Sequence, residues 1–154
     1  MKTMARAPLE LGLLLLLSCG GTTAPPPVTG CKGDARADTF VAGLEKATDV
    51  GGYKLRMMSS LRVPPDRGNI EFSLSVVDAA AMPVSTATIS VKPWMPDHGH
   101  GSTPESFRLR SLGAGNYEVG PINFFMPGMW ELTFRIDQAD GQRAVAKYSF
   151  CVEG

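Results

Sequence analysis

The chain carries no net charge: 15 lysines and arginines offset 15 aspartates and glutamates. Nucleic acid is therefore a poor partner, because phosphate binding needs a basic footprint. Electrostatic attachment to an anionic bilayer is excluded on the same ground. Histidine is scarce, with two in 154 residues, and cysteine is limited to three. No glycine loop has the spacing that cradles phosphate, and no dinucleotide fingerprint is present. No internal repeat is evident. Both histidines fall in one segment with Asp97 directly before His98, an arrangement that serves a Ser-His-Asp relay poorly. These absences favour a binding protein over an enzyme, with no catalytic residues to assign.

The N-terminus reads as an address label. Lys2 and Arg6 precede an apolar run from Leu9 to Leu17, interrupted by Glu10 and Gly12. That run is too short to remain as a membrane-spanning helix. It ends in Leu16-Leu17-Ser18-Cys19-Gly20, which resembles a bacterial lipobox. Residues 1–18 are then a lipoprotein signal peptide and Cys19 is the lipidated residue, since several acyl chains on one cysteine anchor stably. The alternative is an ordinary cleaved signal with a chance cysteine. Gly20, where an aspartate would signal retention, leans toward the outer membrane. The expected location is the bacterial cell envelope, lipid-anchored and facing the periplasm. Residues 19–30 are rich in Gly, Thr and Pro, and Pro25-Pro26-Pro27 favours an extended tether.

Two cysteines remain after Cys19. In an exported protein an even remainder suggests a disulfide, here Cys31 with Cys151. The rival reading makes Cys151 a metal thiolate. Residues 31–52 form an N-terminal wrap, in which Asp34 to Lys46 reads as a short helix capped by Asp38 or as irregular chain.

Residues 53–154 show strand periodicity. Ile70, Phe72, Leu74 and Val76 alternate with Glu71, Ser73 and Ser75, and Trp130, Leu132, Phe134 and Ile136 alternate with Glu131, Thr133 and Arg135. Further strands are expected at Tyr53–Leu61, Ile89–Pro93, Phe107–Leu112, Tyr117–Val119 and Ala146–Phe150. About seven short strands with regular turn signals predict an all-β antiparallel sandwich. Parallel winding is excluded by the lack of helix-period segments between them.

Chemistry concentrates in Trp94-Met95-Pro96-Asp97-His98-Gly99-His100-Gly101. Following strand direction, this segment leaves one end of the sandwich, the top. The connection Pro121 to Gly128, which carries Met126, is expected at the same end. Met82 is expected at the bottom, and Met129 should point outward or along the rim, because Trp130, Leu132 and Phe134 claim the inward face. Met95, His98, His100 and Met126 thus form a candidate site of imidazoles and thioethers. Thioethers favour Cu(I). The set is poor for structural zinc and for calcium or magnesium. Ligating histidines must be neutral, so affinity should fall below about pH 6.5. The bland reading makes the histidine segment a solvated turn and Met126 a gap filler over the core.

The segment VKPWMPDHGHGSTP and the later YEVGPINFFMPGMWELTFRI resemble the YtkA-like and FixH-like family of small exported bacterial β domains. The resemblance covers roughly residues 53–152. It implies an immunoglobulin-like sandwich, with Met95, His98, His100 and Met126 at motif positions. FixH-like members are linked to assembly of a copper-dependent cytochrome oxidase. They are held by a transmembrane helix, whereas this chain looks lipid-anchored. The resulting expectation is an envelope lipoprotein that binds copper, Cu(I) in particular, for handling or delivery to a donor or acceptor protein. The competing expectation is a metal-free interaction scaffold, with Trp94, Phe124, Phe125 and Trp130 as a contact patch.

Overall fold

The structure, a computed structural model, describes residues 30–60 and 66–154. The expected signal segment, Cys19 as the expected lipidation site and the expected tether up to residue 29 lie outside the described residues. In chain order the strands are β1 (Leu44–Ala47), β2 (Lys54–Ser60), β3 (Gly68–Val77), β4 (Thr88–Met95) and β5 (His100–Gly101). They continue with β6 (Phe107–Arg108), β7 (Arg110–Gly113), β8 (Asn116–Phe124), β9 (Gly128–Asp137) and β10 (Arg143–Val152). Two antiparallel sheets result. One runs β1-β2-β3-β8-β7; the other runs β10-β9-β4-β5, with β6 also paired to β4.

Period-two patterning explains the packing. Ile70, Phe72, Leu74 and Val76 of β3 face Trp130, Leu132, Phe134 and Ile136 of β9 across one core, and all eight are buried. The alternate positions carry Glu71, Ser73, Glu131, Thr133 and Arg135, which keeps both outer faces wet. Tyr148 ties the sheets together. It sits inward on β10, and its phenol donates to the Leu55 carbonyl on β2 at 2.5 Å. Burial pushes its ionisation well above the ordinary phenol range. Tyr148→Phe removes the donor and leaves that carbonyl short of a partner, so it should cost about 1–2 kcal/mol. Urea unfolding should show a lower midpoint at unchanged m-value.

Two local expectations need correction. The Asp34–Lys46 segment contains no helix. Asp38 instead fastens the wrap to β10: its backbone N–H donates to the Ser149 carbonyl and its carboxylate accepts the Ser149 N–H at 2.9 Å and the Lys46 ammonium. The chain then pairs as β1, where Glu45 lies opposite Arg56 and binds it. Second, Phe107–Leu112 is two strands. β6 pairs β4 in one sheet and β7 pairs β8 in the other, so the chain changes sheets at Leu109, whose N–H donates to the Ile89 carbonyl. Met129 lies on the outward face of β9, as its parity predicts, and only 2% of its surface is exposed.

Both connections of interest lie at one end. β3 begins opposite Phe124 and ends near Asn116, so Met82, just past the end of β3 and 61% exposed, lies at the far end. β8 and β9 belong to different sheets, so residues 125–127 bridge the sandwich at the top. Cys31 and Cys151 are joined, with Cα atoms 5.3 Å apart across a sequence separation of 120. Cys151 pairs with Met129 in the β10–β9 register, which brings the start of the wrap to the top as well.

Candidate metal centre

The histidine segment is a tight hairpin between β4 and β5, with Met95 opposite His100. The N–H groups of His98 and Gly99 both donate to the Met95 carbonyl, at 3.2 and 2.9 Å. Gly99 turns the chain with φ at 70°, a conformation glycine adopts without steric cost. The two imidazoles lie on neighbouring ground, 5.7 Å between ring centroids and tilted by 47°. His98 is exposed and His100 half-buried. His100 stacks on Phe125 at 5.5 Å, and Phe125 meets Trp130 edge-on. The Trp130 indole N–H donates to the Met126 carbonyl at 3.0 Å. This aromatic series fixes the bridging connection against the hairpin.

Met95 is fully buried at the top of the core. Its methyl and the His98 ring both lie over Gly128. A Cβ on Gly128 would stand 2.7 Å from Met95 Cε and 3.6 Å from His98 Nε2. Those two atoms are therefore no further apart than the sum of these lengths. Gly128 also has φ at 138°, which a side chain resists. Gly128→Ala should destabilise the fold by about 1–3 kcal/mol through overpacking and backbone strain. The same change should shift the His98 ring resonances while leaving those of Tyr53, at the other end, in place. Proton NMR and a thermal melt check both.

Beside Gly128 opens a cleft of 810 Å³. His98, Met126 and Met129 line it, together with Cys31, Asp34 and Arg36 of the wrap. Met126 is half-buried, packed against the core edge. Of the four expected site residues, His98 and Met126 share the cleft, while Met95 is buried with its methyl over Gly128. His100 stands next to His98 but turns onto Phe125. Among the described residues, no three His, Cys, Asp or Glu side chains gather to hold a metal. A cation site at this end therefore has to recruit methionine sulfur.

Residues 31–36 act as a strap over the cleft. Arg36 grips Asp97 with two hydrogen bonds of 2.8 Å and Asp34 with three more. Its hydrogen bonds to Asp97 and then Asp34 raise the guanidinium pKa further. The same bonds hold Asp97 below the usual carboxylate range and bring Asp34 down to about 2. Because its folded pKa is depressed, Asp34 supports the strap fully above its ordinary pKa of 3.8 and loses that role as pH falls toward 2. Asp97, at the surface, is the strap's ionic anchor. Arg36 was not singled out from sequence, and Met129 was placed by direction but not as a site residue. Nothing in the spacing announces Arg36. Met129 had a signal: it is the one apolar residue among the outward positions of β9, the others being Glu131, Thr133, Arg135 and Asp137.

The sequence profile of the YtkA-like family matches residues 50–135. The chain belongs to the YtkA-like family. The YtkA-like stretch contains the histidine hairpin, the bridging connection and Met129, while Cys31, the strap and Cys151 lie outside it. The fold is similar to that of the PmoD soluble domain from Methylocystis sp. (Rockwell), with a TM-score of 0.50 at 12% identity. That likeness covers 70% of this YtkA-like chain and 97% of the PmoD domain. No sequence match was found among curated proteins.

Proposed function

We propose that this protein is a lipid-anchored envelope protein that binds Cu(I) at the top of the sandwich for handling or delivery, without catalysing a reaction. One observation carries the reading: His98 and Met126 line one cleft, and the His98 ring and the Met95 methyl both lie over Gly128 at its edge. Imidazole and thioether together suit a soft monovalent cation. His100 supports the set from beside His98. Membership of the YtkA-like family, which the sequence resemblance ties to copper-dependent oxidase assembly through its FixH-like members, points the same way. The lipid would be carried by Cys19, at the outer membrane, and the copper would come from or go to another envelope protein.

The test is competition for Cu(I) against a chromogenic chelator. Wild type should hold copper, and the His98→Ala/His100→Ala double variant should surrender it. Equal retention by both removes the proposal.

A metal-free interaction module is the second reading. Phe125, 44% exposed and stacked on His100, favours it as the centre of a contact patch. Capture of the same envelope proteins with and without a copper chelator would favour this reading over the first.

A further inference from the structure

We infer that Met129 is a ligand of the same soft cation, so that the ion lies in the cleft under the strap, held by His98, Met126 and Met129. This rests on the copper reading above and sharpens where the ion sits. Met129 occupies an outward position on β9, where its neighbours in phase, Glu131 and Thr133, stay in the polar outer layer. An apolar side chain there would ordinarily be wet. It is buried because the disulfide draws Cys31 over it: Met129 is the register partner of Cys151, and Cys31 lines the same cleft. The strap thus encloses a thioether beside an exposed imidazole and a second, half-buried thioether.

The three candidate ligands come from three separate segments: the β4–β5 turn, the bridging connection and the start of β9. Such a set is brought together only by the folded sandwich. Its wall is mainly apolar, and the two carboxylates that line it, Asp34 and Asp97, are both held by Arg36, which leaves the imidazole and the thioethers as the uncommitted donors and suits a soft cation over a hard, strongly hydrated one. His100, by contrast, spends its ring face on Phe125 and does not line the cleft.

The probe is Ag(I), a redox-inert soft monovalent ion, added to the disulfide-intact full chain labelled with ¹³C-methyl methionine. The methyl signals of Met129 and Met126 should move on addition, and that of Met82 should stay. Met129→Leu keeps volume and apolarity, so the fold should persist, while Ag(I) affinity should fall at least about tenfold. Met82→Leu should bind as wild type. If Met129→Leu binds as wild type and the Met129 methyl stays fixed, Met129 is no ligand. The copper reading then survives as long as His98→Ala still loses the ion. If the wild-type chain itself fails to bind Ag(I), both readings are overturned. Should Met129→Leu fold poorly, the methyl shifts of the wild-type chain decide alone.

Discussion

Replacing Cys31 and Cys151 together by serine should lower stability by about 4 kcal/mol. The bond closes a separation of 120 residues, so it removes a large share of the conformational freedom of the unfolded chain. Loop-closure entropy alone gives about 5 kcal/mol, and losses of native disulfides fall at about 2–5. Against a total of roughly 5–15 kcal/mol for a domain of this kind, that is a large fraction. The melting temperature should drop by more than about 10 °C. Ionic contacts do not offset the loss: Arg36, Asp34 and Asp97 are solvent-exposed enough to hold the strap only weakly once it is untied. Circular dichroism melts of the oxidised wild type, the reduced wild type and the double variant should give one high and two matching low midpoints. A variant within about 1 kcal/mol of wild type would mean that the bridge constrains little.

His98→Ala should weaken Cu(I) binding by about 100-fold, equivalent to about 2.7 kcal/mol, and His100→Ala by less than about tenfold. The asymmetry comes from placement. His98 lines the cleft and shares the ground over Gly128 with the Met95 methyl. His100 stacks on Phe125 and stands one ring away. Its loss should act by loosening the turn more than by removing a donor. Chelator competition with each single variant separates the roles. Equal losses would make both imidazoles direct ligands and move the ion out of the cleft into the hairpin.

Strands with clean alternation were legible in the sequence, because one buried face imposes period two on β3, β9 and β10. The shared end of the histidine hairpin and Met126 was legible too, since strand direction alone places those connections. β5 was not: a two-residue strand, His100-Gly101, leaves no periodicity to read. β1 was obscured because Leu44-Glu45-Lys46-Ala47 pairs through backbone and cross-strand charge with little apolar signal. The sheet switch at Leu109 was hidden because both halves of Phe107–Leu112 continue in one direction. Met129 is the most instructive case. Its face on β9 follows from parity, and it does point outward. Outward did not mean exposed, because a segment nearly a hundred residues earlier folds over that face and is bonded to the neighbouring strand. Alternation reports which face of its sheet a residue occupies, and a distant covering segment decides whether that face is wet.

X-ray absorption at the copper edge is the most direct test of the mixed imidazole and thioether site. The sample is the disulfide-intact chain loaded with Cu(I) and desalted. Sulfur scatterers should appear with imidazole nitrogen in the first coordination shell, and the sulfur amplitude should fall in Met126→Leu. A shell of light atoms alone, or a chain that keeps no copper through desalting, would contradict the site.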